Sequence, residues 1–404
     1  MLLSSEPPHT AVKGLSSSRG EGTDGQPSFQ TLNEDLIQMT RNILELGPRL
    51  GELARRAEVH KETIRYRYRK HFVERGLVVQ ANLDYQRLGL ERLIIVSHAA
   101  RTFEPHIIPI MSALSEMCYL TGFSQTTLEG VYIMQVVVPT ELREECVRTY
   151  ERLQQMGIFP DMQILRFEEV RSVPMKPEYY DFSNDSWAYD WQSEEITGVA
   201  LIPSGKAEVE RYDHVDLLLL KELDRDASQS TKAIAKRLNL PYKMLQYHQY
   251  NHVLERGLLK GYRILWQGTT FNEKSEKAKS RRHTYLCVAL LVLGTTDGQR
   301  AKLIANLNQV PFLWFEASDP HYYAEFFVPI DFYSDFLKRV RWLALATGTR
   351  PRVFVIDQSK ALRFTIAYRL FNPATRKWRL DSREVIARFE NLVLNVNNSG
   401  GDWT

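Results

Sequence analysis

Between Lys61 and Lys70 the chain reads Lys-Glu-Thr-Ile-Arg-Tyr-Arg-Tyr-Arg-Lys, five basic residues in ten with Glu62 the single acid. On a helix, Ile64, Tyr68 and Phe72 recur at i, i+4 and i+8 and form the inward stripe. The outward face is then Lys61, Thr63, Arg65, Tyr66, Arg69 and Lys70, with Arg67 toward one edge. Like charges one turn apart cost a few tenths of a kcal/mol, so Arg65 beside Arg69 asks for an anionic partner. A polyphosphate backbone supplies one, and an arginine can also take guanine O6 and N7 together. The plainer reading is a well-solvated helix face.

Much of this design recurs 181 positions later. Ala54, Arg56, Tyr66, His71, Glu74, Arg75, Gly76 and Leu77 meet Ala235, Arg237, Tyr247, His252, Glu255, Arg256, Gly257 and Leu258 without a gap. The second face is less basic: Lys243, Gln246, Gln249, Tyr250 and Asn251 stand there, with Lys232, Lys236 and Arg237 on the bracing helix. Glutamine and asparagine can read adenine edges, so the second copy is either another half-site reader or a structural or dimerisation copy.

The elements that must carry these faces are trihelical modules, each closed by Glu-Arg-Gly-Leu and followed by a short β-wing. Asn33 is expected to cap the first helix, with Leu36, Met39, Ile43 and Leu46 as its stripe and Gly47-Pro48 as its stop. Ser230 and Pro241 suit the starts of two helices in the second module. After each module, strands and helices alternate as β-α-β-β-α-β, the order of a ferredoxin-like sandwich. The predicted organisation is a disordered tail at 1–30, a winged helix-turn-helix at 31–90 and a ferredoxin-like domain at 91–174. An acidic aromatic linker at 175–210, a second winged module at 211–268 and a basic linker at 269–283 follow. A second ferredoxin-like domain at 284–375 and a C-terminal helix and tail at 376–404 complete an α+β chain. Tyr179, Tyr180, Phe182, Trp187, Tyr189 and Trp191 give the first linker too much aromatic surface to be left in solvent.

Bulk properties narrow the class. The chain has 404 residues, 44% hydrophobic and 25% charged, with a net charge of +3, which is ordinary for a globular protein and places any basic surface locally. Cys118, Cys146 and Cys287 stand apart from one another, which argues against a disulfide framework or a cysteine-pair zinc site and for a reducing compartment. The longest apolar run, Tyr285 to Leu293, is too short to cross a bilayer, and no secretory signal is recognisable. A cytoplasmic, nucleoid-associated protein is expected, with no membrane partner, no metal and no cofactor.

The winged module ending in Glu-Arg-Gly-Leu and followed by β-α-β-β-α-β resembles the leucine-responsive regulator family (Lrp/AsnC type) of transcription factors. The resemblance implies a non-enzymatic regulator that binds double-stranded DNA. It also implies ferredoxin-like domains that pair face to face, with a small-molecule effector between them and a homodimer as a further assembly. Two module pairs in tandem depart from the usual single pair, so that pairing can be satisfied within one chain. Where the family tends to have a Gly-x-x-Asp turn, Thr126-Thr127-Leu128-Glu129-Gly130 and Asp319-Pro320-His321 stand instead.

Siroheme decarboxylases resemble the same two-domain arrangement and form the alternative, a tetrapyrrole enzyme. His98, Arg101, His106, His321, Tyr322 and Tyr323 are residues of the right type for it. A protein-binding scaffold of the transcription machinery is a further alternative. No phosphate-binding loop, nucleophile elbow or His-Glu-x-x-His helix is present, which favours a binding protein.

Overall fold

The structure is a computed structural model that describes residues 29–191, 207–267 and 282–398. The predicted tail and most of the basic linker lie outside the described residues.

The first module comprises α1 (Phe29–Leu46), α2 (Leu50–Arg56) and α3 (Lys61–Tyr68), the last running on as a π turn over Arg69–Val73. Leu36, Met39, Ile43, Ile64 and Phe72 are buried, so the expected stripes are the core-facing ones. Gly47, at φ +77°, closes α1. Asn33 does not cap α1, which begins four residues earlier; its side-chain oxygen accepts the Phe182 N–H at 3.1 Å and ties the helix to the aromatic segment.

Next come β1 (Val78–Leu83) and the first sandwich: β2 (Leu90–Ser97), α4 (Ile107–Met117), β3 (Leu120–Thr126), β4 (Tyr132–Pro139), α5 (Arg143–Gln155) and β5 (Gln163–Arg166). Two residues later the chain resumes as β6 (Glu169–Ser172), then makes a small hairpin, β7 (Tyr180–Asp181) with β8 (Ser186–Trp187). The second module is α6 (His214–Arg225), α7 (Thr231–Leu238) and α8 (Tyr242–Tyr247), the last extended by a π turn over His248–Leu254, and then β9 (Leu259–Leu265). Ser230 caps α7 through the Ala233 N–H. The second sandwich is β10 (Tyr285–Val292), α9 (Asp297–Leu307), β11 (Leu313–Ser318), β12 (Tyr322–Pro329), α10 (Tyr333–Thr347) and β13 (Arg352–Arg363). A hairpin of β14 (Phe371–Asn372) and β15 (Lys377–Trp378) precedes α11 (Ser382–Asn398).

The two sandwiches share one sheet of nine strands, in the order β5-β2-β4-β3-β13-β10-β12-β11-β6. Each half keeps its own four-strand order, and each fourth strand then crosses over. β13 pairs with β10 through Cys287–Leu291 and then with β3, while β6, continuing from β5, pairs with β11. The separate wings expected on the two modules do not form. Each module supplies a single strand, and β1 pairs antiparallel with its own counterpart β9, Gln80 opposite Arg263. A lone strand leaves one row of backbone donors and acceptors unpaired, and the related strand satisfies it.

The aromatic segment docks, as its composition requires. Trp187 packs edge-on against Trp266 and Phe312 and donates its indole N–H to Tyr285 Oη at 3.0 Å. Trp378 of the second hairpin donates likewise to Tyr212 Oη at 2.8 Å. Such ring pairs add about 0.5–1.5 kcal/mol each beyond their area.

Candidate active site

The strand-crossing seam is covered by the β1–β9 ribbon, and between ribbon and sheet lies a cleft of about 1050 Å³ counting its open mouth. Strands alternate their side chains, so β4 contributes Ile133 and Gln135, β9 Arg263 and Leu265, and β12 Glu325 and Phe327. Arg92 enters from β2, Arg263 from β9 and Arg363 from the end of β13. Gln80, Gln135, Gln267 and Gln358 line it as well, among Phe123, Trp314, Phe315 and Phe327. Glu325 is the one carboxylate among the described lining residues.

Aromatic faces hold the guanidinium groups. Arg92 lies 4.9 Å from the Tyr85 ring centre and 4.7 Å from that of Phe315, and Arg263 lies 4.9 Å from Trp314. Such stacking supports a cation without occupying its in-plane donors. Asp224 accepts from Arg263 at 3.0 Å and lies 3.5 Å from Arg363, so one buried carboxylate serves two cations. Burial, then the positive charge of Arg363, pulls the Arg263 pKa down to about 9. Arg92 Nε, Arg263 Nε, Gln80 Oε1 and Gln267 Oε1 are buried without a hydrogen-bond partner. An unmet buried polar group costs about 1–3 kcal/mol, and four around one cleft mark a place built for a polar ligand.

Glu325 is held on one oxygen, where Tyr323 Oη donates at 2.6 Å and Gln135 Nε2 at 2.7 Å. Burial, and then the neighbouring Glu325, push the Cys287 thiol well above its usual range, so it is a neutral wall atom and not a nucleophile. The cleft can therefore grip an anionic, flat, largely apolar molecule and present one carboxyl group to it.

The residues singled out in the sequence lie elsewhere, with one exception. Lys61, Thr63, Arg65, Tyr66, Arg69 and Lys70 are exposed, and Arg67 is half-buried. Each arginine of that helix already has a carboxylate within the chain: Arg65 with Glu62, Arg67 with Asp35 at 2.7 Å and Arg69 with Glu74 at 3.2 Å. Lys70 bonds Tyr66 Oη at 3.1 Å. In the second module Lys232, Lys236, Lys243 and Tyr250 are exposed, Gln246 is half-buried, and Gln249 accepts from Thr231. His98 pairs with Asp161, Arg101 is exposed and His106 half-buried, and His321 packs edge-on to Phe167. Tyr322 bonds Glu316 at 2.6 Å. Of that group only Tyr323 reaches the cleft, through Glu325. Arg92, Arg263 and Arg363 were missed; their strands also carry Glu91, Lys260 and Lys360, so no local signal set the three apart.

No protein-family model matches the chain, and no curated protein matches it in sequence. Among solved structures, that of the siroheme decarboxylase NirDL is similar at 11% identity, covering 89% of this chain and 99% of that one, with a TM-score of 0.53. The same decarboxylase in complex with an iron-uroporphyrin III analogue is similar at 11% identity over 92% and 100%, with a TM-score of 0.50. The similarity spans the whole tandem arrangement and supports the predicted α+β fold of paired winged modules and ferredoxin-like sandwiches.

The expectation of a non-enzymatic, DNA-binding transcription regulator is thereby corrected. The two solved structures similar over about nine-tenths of this chain are both of one protein that is an enzyme by name, not a regulator. The crowded arginines of α3 also have carboxylates of their own chain beside them, in Glu62, Asp35 and Glu74. The nucleoid association inferred from it has no support. Among the described residues no helix is long and apolar enough to cross a membrane.

Proposed function

We propose that the chain is a decarboxylase acting on a polycarboxylated tetrapyrrole of the siroheme type, bound between the β1–β9 ribbon and the shared sheet. The observation that carries this reading is the convergence of Arg92, Arg263 and Arg363 on an aromatic-walled cleft whose buried polar atoms lack partners. A ring of that class is flat and apolar with carboxylates at its margin, so it needs aromatic walls for its face and guanidinium forks for its rim.

Loss of CO2 from a side-chain carboxylate leaves an electron pair on carbon, which must receive a proton. Glu325 is the lining group suited to deliver it, positioned by Tyr323 and Gln135. The arginines orient the carboxylates and exclude the wrong ones. Burial of the reacting carboxylate beside Phe315 and Trp314 removes the water that stabilises it and favours departure of neutral CO2.

Titration of the purified full-length chain with siroheme tests the reading. The expected result is a saturable change in the pigment's visible absorption, followed by products lighter by the mass of CO2. Siroheme whose spectrum and mass stay unchanged in the presence of folded protein would sink the proposal.

A further inference from the structure

The second module holds a cluster that the cleft does not use and that stands apart from the tetrapyrrole reading. Asp213 and Asp216 lie at the start of α6; His248 and His252 lie one turn apart on the π extension of α8. One ligand atom from each lies within 4.8 Å of all the others. His248 Nδ1 is 2.7 Å from Asp216 Oδ1 and 3.8 Å from Asp213 Oδ1, and His252 Nδ1 is 3.1 Å from both oxygens of Asp216. Donors around a tetrahedral zinc ion with bonds near 2.05 Å stand about 3.3 Å apart, in the middle of this range.

Charge points the same way. Asp216 is fully buried, and the side chains of His248 and His252 are 10% and 14% exposed. Among the described ion pairs no Lys or Arg reaches Asp213 or Asp216, so their carboxylates face only the N-terminus of α6 and any protons on the two imidazoles. A buried charge without a counter-ion is costly, and one divalent cation would balance both. The helix cap uses Asp213 Oδ1 and Asp216 Oδ2, which leaves Asp216 Oδ1 outside it, while the Asp213 oxygen that lies 3.8 Å from His248 is one that also caps α6.

The internal repeat supplies an independent observation. At the same 181-residue spacing the first module has Leu32, Asp35, Arg67 and His71. There the same edge of the module carries a fixed cation, since Arg67 reaches the half-exposed Asp35 at 2.7 Å. The second copy has exchanged that guanidinium for His248 and that leucine for Asp213, losing a fixed positive charge and gaining two donor atoms.

We propose that Asp213, Asp216, His248 and His252 form a structural site for a borderline divalent transition metal, zinc in the first instance, that bolts the start of α6 to the π extension of α8. Two nitrogens and two oxygens in a closed, four-donor set favour zinc, cobalt or nickel over calcium or magnesium, which prefer more oxygen ligands. With four protein donors no position is left open for chemistry.

The test strips the full-length chain with a chelator, adds zinc or cobalt(II) alone, removes the excess and counts bound metal by elemental mass spectrometry. One equivalent per chain is expected, with the intense visible absorption of tetrahedral cobalt and a higher melting temperature for the zinc form. His248→Arg, which rebuilds the arginine–aspartate pair of the first module, should fold and take up none. Asp213→Ser keeps a helix-capping oxygen and should weaken zinc affinity by about tenfold or more, reporting the same point should His248→Arg fail to fold. Folded, stripped wild-type chain that retains no metal, or variants that retain as much as wild type, would overturn the proposal; Asp216 would then merely accept two histidine N–H bonds. Siroheme spectra recorded on the same samples separate this outcome from the fate of the cleft.

Discussion

Gln135 donates from Nε2 to Glu325 Oε1 at 2.7 Å, and the two residues hold the same place in the two halves. Gln135 lies opposite Ile94 on β2 and Glu325 opposite Ala289 on β10, four registers in from Leu90 and Tyr285 in both ladders. Duplication thus brought two related positions together, and one amide against one carboxylate makes only one side acidic. Glu325→Gln keeps the shape and a hydrogen-bonding oxygen but removes the proton carrier. The expected result is unaltered siroheme binding with turnover reduced by about 10²–10⁴-fold. Product formation at the wild-type rate would remove Glu325 from the chemistry.

Arg263 has a structural and a ligand-facing role, and the two separate experimentally. Arg263→Met leaves Asp224 buried with Arg363 3.5 Å away as its remaining cation, which should cost about 3–5 kcal/mol in chemical denaturation. Adding Asp224→Asn should return most of that stability. Siroheme affinity should stay low in both variants, by on the order of 10²-fold, because the guanidinium that faces the cleft is still missing. Recovery of affinity together with stability would assign Arg263 to scaffolding alone.

His71 makes the fold sensitive to mild acid. Burial first, then the nearby Arg75 and Lys70, lower its pKa from the ordinary 6.5. The folded chain holds this histidine neutral while the unfolded chain protonates it, so its contribution is present above pH 6.5 and is lost as pH falls through the lower, folded value. Denaturant midpoints measured on both sides of pH 6.5 should drop more on the acid side for wild type than for His71→Gln. Equal drops would mean that other groups set the acid limit.

Gly261 sits where β9 passes under α1. Its φ is +124°, and an added Cβ would lie 2.8 Å from the Leu44 carbonyl oxygen. Gly261→Ala must both strain the backbone and push helix from ribbon, for a loss of about 1–3 kcal/mol or more. Thermal unfolding of the variant checks this; a melting temperature equal to wild type would mean that the helix shifts freely.

The trihelical modules and the two β-α-β-β-α-β runs were legible because their cues are local: stripes at Leu36, Met39 and Ile43, a cap at Ser230, alternation along the strands. The pairing of β1 with β9 was not, since Gln80 and Arg263 are far apart in sequence and a strand's partner is set by the assembled surface. The same distance hid the cleft. Arg92, Arg263 and Arg363 come from three strands that meet only after the fourth strands cross. His248 and His252 were not singled out as a pair, because the carboxylates that give the pair its meaning belong to another helix. Conversely, the cationic look of α3 was misleading because Asp35, the partner of Arg67, lies on α1.

The crossing of β13 onto β3, and of β6 onto β11, makes the border between the halves a row of main-chain bonds instead of a contact between finished surfaces. Neither half completes its own margin. If the chain were severed between them, each fragment would be left with raw strand edges shaped for the other, so the pieces would either cling together or precipitate.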